Sequence, residues 1–167
     1  IFRMTTDGQG VELAIARWWF VPETFKGTFK EFRKKLATFN ARSETVATSR
    51  TFAKAYAWQR CLIPADGWYE WTGEKYPKTK WLFERKDRDW FCFAGIWSMF
   101  MDPDEGPTTT FTMLTMDSVE LLAEYHDRRP IAMPLDGWHG YLVGAEPAVM
   151  PASEIAVRDS SGLRPMV

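Results

Sequence analysis

Between Cys61 and Thr115 the chain is a succession of short strand-like segments separated by turn residues, and this run limits the fold more than any other feature. Cys61-Leu62-Ile63, Gly67-Trp68-Tyr69-Glu70-Trp71, Trp81-Leu82-Phe83, Trp90 to Trp97 and Thr108 to Thr115 are rich in β-branched and aromatic residues, which suit a pleated, half-buried surface. Asp87-Arg88-Asp89 predicts a hairpin between the third and fourth segments, and Pro103 to Pro107 a turn before the fifth. Upstream, Val11, Leu13 and Ile15 alternate with Glu12, Ala14 and Ala16, predicting a strand that runs into Arg17-Trp18-Trp19-Phe20. Helices fall between these segments. Phe29, Phe32, Leu36 and Phe39 recur at helical spacing among lysines and arginines, predicting an amphipathic basic helix near 28–38. Phe52, Ala53, Ala55 and Tyr56 predict a second, Ser118 to Tyr125 a third entered through Asp117, and Leu135 to Val143 a last one after Pro134. Ala152 to Val167 is polar and weakly periodic and reads as an irregular tail. The whole predicts an α+β fold with a largely antiparallel sheet, in a single domain spanning residues 1–167.

Several function classes are excluded. No run of eighteen apolar residues exists, so no transmembrane helix and no membrane partner is expected. Two cysteines, Cys61 and Cys92, are too few for a disulfide framework and read as buried, reduced thiols of a cytoplasmic protein. No strand runs into a Gly-rich phosphate loop, no Cys/His spacing suits zinc and no G-x-S-x-G elbow occurs, so neither cofactor nor metal is expected. A net charge of −1 gives no bulk reason for a nucleic-acid partner, but it hides an asymmetry. Lys26 to Arg60 holds nine basic residues against Glu31 and Glu44 alone, a net +7, whereas Asp102 to Asp127 holds seven acids and no Lys or Arg. A basic third of a neutral protein makes either one basic face or a solvated helix surface.

Few residues have the chemistry for catalysis. His126 stands where a helix should end before Pro130, a place that suits a cap as well as an acid–base group; His139, between Trp138 and Gly140, has a weaker claim. Strand alternation puts Trp68, Glu70 and Thr72 on one face and Tyr69 and Trp71 on the other. Glu70 therefore sits either at a wet sheet edge or partly desolvated, and desolvation would raise its pKa into a range useful for proton transfer. Asn40 is a turn residue or an orienting amide, and Arg42 beside it can grip a phosphate in bidentate fashion.

Five segments in order carry a resemblance: Asn40-Ala41-Arg42-x-Glu44-Thr45, Arg60 to Trp71, Phe93-Ala94-Gly95-Ile96-Trp97, Phe111-Thr112 to Thr115, and His126-Asp127-Arg128-Arg129-Pro130. Together they resemble the SOS response-associated peptidase (SRAP) family, whose members process abasic sites in single-stranded DNA. Arg17-Trp18-Trp19-Phe20-Val21-Pro22 is similar to the Trp-containing strand that precedes the family's DNA-facing loop. The resemblance implies a curved, barrel-like sheet with peripheral helices, acting as a monomer on single-stranded DNA and associated with the nucleoid after damage in a bacterium. It implies that an N-terminal cysteine condenses with the ring-opened sugar to give a thiazolidine crosslink, with self-processing peptidase and lyase activities. Asn40, Glu70 and His126 match the catalytic partners. Arg42, Arg50 and Arg128 match the phosphate-binding arginines, and Trp18, Trp19 and Phe25 the aromatic residues that meet DNA. The family's cysteine has no match here, since the chain opens at Ile1, and an N-terminal segment is expected to be missing. A noncatalytic single-stranded nucleic-acid-binding module and a general peptidase are the alternatives.

Overall fold

In the computed structural model, which describes residues 1–161, twelve strands divide between two sheets. In chain order, β1 (Phe2–Met4), β2 (Val11–Leu13) and β3 (Arg17–Trp18) precede helix α1 (Phe29–Lys35). β4 (Asn40–Arg42), α2 (Ser43–Val46) and α3 (Ala53–Trp58) follow. Then come β5 (Arg60–Ala65), β6 (Trp68–Thr72), β7 (Thr79–Arg85), β8 (Phe91–Asp102) and β9 (Gly106–Asp117). A 3₁₀ turn, Glu120–Glu124, leads to β10 (Arg128–Pro130), β11 (Ala132–Met133), α4 (Trp138–Leu142) and β12 (Ile155–Asp159). The large sheet runs β10-β9-β8-β5-β1-β2, with β11 added to β8 and β3 and β4 added to β9; the small one runs β12-β7-β6.

β8 explains the layering. Phe91 to Ile96 are all buried, and alternation sends them to opposite sides. Phe91 and Phe93 join Phe83 of β7 and Ile155 of β12 between the two sheets. Cys92, Ala94 and Ile96 join Tyr56 of α3 and Tyr141 of α4 on the other face. Gly95 lies where three elements crowd together: a Cβ there would stand 2.7 Å from Ile63 Cδ1 and 2.9 Å from the Thr112 carbonyl oxygen.

Pairing is largely antiparallel, as expected, but β3 and β4 run parallel to β9. The barrel-like expectation is corrected. Among the described residues the sheet is open: β2 at one end pairs only with β1, and not with β3 or β4 on the outer edge of β9 at the other. The hairpin expected at Asp87-Arg88-Asp89 is a turn between sheets: β7 pairs β6 and β12, while β8 pairs β5, β9 and β11. Arg88 turns there with φ 62. The Phe91–Asp102 and Gly106–Asp117 segments form the true hairpin, closed at Asp102 and Gly106. The third predicted helix is only the 3₁₀ turn, because Asp117 belongs to β9, where it pairs Arg128. Residues 155–159 of the expected irregular tail form β12, which covers the open edge of β7; residues 162–167 lie outside the described residues.

Candidate functional site

β9 assembles the site from both of its edges. Along one pair Arg17-Trp18 of β3 at Thr110-Phe111 and Asn40–Arg42 of β4 at Met113–Thr115; along the other, past the end of the β8 pairing at Met113, Arg128–Pro130 of β10 pairs with Thr115–Asp117. Three distant stretches of chain thereby deliver Trp18, Asn40 and the His126–Arg128 turn to one place. β6 of the small sheet faces them. Between lies a cleft of about 480 Å³ whose lining includes Trp18, Phe39, Asn40, Glu70, Trp71 and His126. Its floor is aromatic: Trp68 stacks on Phe83 at 4.9 Å and meets Phe91 and Phe93 edge-on. Gly67 makes the tight approach that sets β6 there, since a Cβ on it would stand 2.5 Å from the Phe83 carbonyl oxygen.

Glu70 is half-buried, on the Trp68 side of β6 as alternation requires. Burial holds its carboxyl above the ordinary carboxylate range; His126 opposes this shift and Asp127 adds to it. His126 is tied through Nδ1, which lies 2.9 Å from both the backbone nitrogen and the carbonyl oxygen of Arg128 and 3.1 Å from an Asp127 carboxylate oxygen. A neutral ring accepts from the Arg128 N–H, which puts its proton on Nε2; a charged ring donates to the carbonyl or to Asp127. The ring is therefore anchored in either protonation state. Asn40 lies exposed at the cleft, on the same face of β4 as Arg42.

The arginines separate. Arg128 lines the cleft, but its guanidinium is engaged by protein: a bidentate pair to Glu44 at 2.8 and 2.9 Å, the Asp117 carboxylate, and the Thr115 carbonyl at 2.8 Å. The bond to Arg128 lowers the Glu44 pKa to about 2. Arg42 is exposed on β4. Arg50 lies apart from the cleft, in a depression with Pro22, Glu23, Thr24 and Lys54.

The aromatic residues divide as well. Trp18 is 52% exposed at the cleft, with its Nε1 donating to the Phe39 carbonyl. Trp19 turns away, held at φ 131 by a bond from its Nε1 to the Leu36 carbonyl, 2.9 Å, and another from its backbone nitrogen to the Phe111 carbonyl. Phe25 packs edge-on against Phe32 at 4.9 Å, in a cluster with Phe100; it is a core contact and does not line the cleft. Sequence reasoning missed Phe39, Trp71 and Glu44. Glu44 did carry a signal, as one of only two acids in a strongly basic stretch.

Residues 1–160 match the family described as SOS response associated peptidase (SRAP). The chain belongs to this family. SRAP relatives include the abasic site processing protein YoqW of Bacillus subtilis, 33% identical over 135 residues, which are 80% of this chain and 58% of that protein. The abasic site processing protein HMCES of Xenopus tropicalis is 27% identical over 81% of this chain and 45% of its own length. The chain thus spans about half the length of these curated relatives. Its fold is shared with a Bacteroides thetaiotaomicron protein (TM-score 0.77, 22% identity, 95% of this chain and 72% of that one). A Bordetella bronchiseptica protein is similar too (TM-score 0.78, 24% identity, 95% and 81%). Among the described residues, no helix of this SRAP chain is long and apolar enough to cross a membrane, and no cluster of His, Cys, Asp and Glu suits a metal ion.

Proposed function

We propose that this chain forms the lesion-binding and proton-transfer part of an abasic site processing protein acting on single-stranded DNA. One observation carries the reading: a half-buried carboxyl held above its ordinary pKa shares an aromatic-rimmed cleft with an anchored imidazole and an exposed amide. The names of the SRAP relatives support the substrate class. Exposed rings at the rim, Trp18 and Trp71, offer faces on which bases stack whatever their sequence.

In the proposed chemistry the α-amine of an N-terminal cysteine adds to the aldehyde carbon of the opened sugar. His126 takes the anomeric hydroxyl proton as the sugar ring opens and returns it to the departing ring oxygen, which becomes a hydroxyl. Protonated Glu70 delivers a proton to the carbinolamine hydroxyl, which leaves as water, and recovers one from the nitrogen as the imine forms. The thiol sulfur then adds to the same carbon, its proton passes to nitrogen, and a thiazolidine closes. One water leaves overall and nothing is oxidised. Asn40 orients the N-terminal residue by hydrogen bonds.

Neither cysteine of this chain suits the nucleophile. Both are buried; burial pushes the Cys61 thiol far up and that of Cys92 up to about 12. The reading therefore rests on a cysteine outside these 167 residues, as the family resemblance implies.

The test is a denaturing gel with an abasic oligonucleotide. A protein carrying the N-terminal cysteine ahead of this chain should crosslink, and Glu70→Gln should slow it by about 10²-fold or more. His126→Ala should slow it while single-stranded DNA is still bound. The chain beginning at Ile1 should give no heat-stable crosslink; if it reacts equally well, the thiol mechanism is wrong. Binding without crosslinking by the cysteine-bearing form would instead favour a noncatalytic binding module.

A further inference from the structure

The most basic element of the molecule is not used by the cleft. α1 and the turn before it carry Lys26, Lys30, Arg33, Lys34 and Lys35 against Glu31 alone. Glu31 is occupied in a capping box, accepting from the Thr28 N–H at 2.8 Å while the Thr28 hydroxyl accepts from the Glu31 N–H. Among the described residues, none of the five cations has a carboxylate within ion-pair distance. The acids beside Phe29 are already engaged: Asp102 accepts from the Phe29 N–H at 2.7 Å, and Glu105 pairs with Arg17 at 2.5 Å.

This surface differs from a plain solvated helix face in being built on rings. Arg33 lies 4.7 Å from the centre of the Trp19 ring and 5.8 Å from that of Phe29. A depression of about 310 Å³ is lined by Trp19, Phe29, Lys30, Arg33 and Lys34. A file of aromatic contacts also joins it to the cleft. Trp18 and Phe39, both at the cleft, meet at 6.3 Å; Phe39 meets Trp19 at 5.1 Å; and Trp19 carries Arg33. Lys30 and Lys34, four residues apart, share one helix face.

We propose that this depression is a second subsite for the same DNA strand, holding the phosphate of a nucleotide on one side of the lesion. The proposal rests on reading the cleft as a single-stranded DNA site. The strand leaves the cleft past Trp18 and Phe39, and its backbone settles between Lys30 and Lys34 against Arg33. Ring contacts hold the Arg33 guanidinium ready for bidentate contact, and the two lysines act as point charges. The flank beyond the lesion thereby gains a fixed direction across the protein.

The experiment measures affinity by fluorescence anisotropy over a range of salt, on abasic strands of about four and about sixteen nucleotides, short of and at the extent of single-strand sites. The long strands carry the lesion near the 5′ or the 3′ end. For wild type, the long strand of one polarity should show a steeper salt slope than the short strand. Lys30→Ala/Lys34→Ala should flatten that slope by about 0.7 units, the value for one phosphate contact on a single strand. Lys30→Arg/Lys34→Arg should keep it, which separates lost charge from a damaged helix. Equal slopes for wild type and the alanine variant on both long strands would overturn the subsite, as would an equal gain from either polarity. Wild type that binds no strand at all overturns the reading of the cleft itself.

Discussion

Because burial raises the Glu70 pKa, its ionised form is less stable in the native protein than in the unfolded chain. The unfolded carboxyl ionises near its ordinary value of 4.5 and the native one at higher pH. Within that window the native state binds more protons, so stability falls as pH rises through it and stays lower above it. Glu70→Gln should therefore raise the melting temperature at neutral pH, and the gain should vanish below pH 4.5 in melts run across that range. A gain that persists in acid would mean that packing of the amide, and not charge, is responsible. Glu44 has the opposite sign. Arg128 holds its pKa down at about 2, so it contributes stability that is present above its ordinary 4.5 and lost as pH falls through about 2. Glu44→Gln should lower stability at neutral pH and flatten the acid limb of an unfolding titration. The effect should be modest, since the Glu44 side chain is 44% exposed and solvent screens the pair. Identical acid limbs would show that Asp117 and Thr115 hold Arg128 without it.

At the scale of elements, α1 depends on its start more than on its length, because seven residues make only about two turns. Thr28→Ala removes the hydroxyl half of the capping box and should cost about 1 kcal/mol of stability, read by chemical denaturation. Gly67→Ala should cost about 1–3 kcal/mol, since its methyl must displace the backbone of β7 where β6 begins. β5, β6, β8 and β9 were legible in the sequence because each is long enough to show alternation or a sustained apolar run. In the sequence β3 reads as the run-on of β2, whereas the two are separate strands with different partners; β4, at three residues, is too short to show any period, and the parallel pairing of β3 and β4 with β9 has no local signal. The turn at Asp87-Arg88-Asp89 was legible as a turn, but turn chemistry does not say which strand the chain meets next. β12 was hidden because its residues after Ile155 are only half-buried or exposed. Asn40, Glu70 and His126 were recognisable as residues of a family pattern. Their meeting at one cleft depends on pairings between chain segments that no single stretch encodes. Phe25 shows the limit most plainly, since an aromatic residue in a loop reads alike whether it faces DNA or, as here, Phe32 and Phe100.

At the scale of the molecule, everything converges on β9. Leu114, with no exposed surface, lies where its two edges are both occupied, paired with Ala41 on one side and accepting from the Ile131 N–H on the other. Leu114→Ala should cost about 2–5 kcal/mol, and the loss should appear together in global unfolding and in single-stranded DNA affinity, because core and cleft share the strand. The β8–β9 hairpin closes over only a few residues, from Asp102 to Gly106. The partners on the other edge of β9 come from far along the chain: the Val21 N–H reaches the Thr110 hydroxyl across 89 positions. Non-local pairings of this kind are slow to form. On this ground the hairpin and the nearby β10, only 11 residues from β9 at Asp117 and Arg128, should form first, and the cleft should exist only after β3 and β4 have docked along the opposite edge. A DNA strand lying across β3, β4 and β10 would fasten them to one another, so the substrate would serve as the last stitch of the fold it occupies.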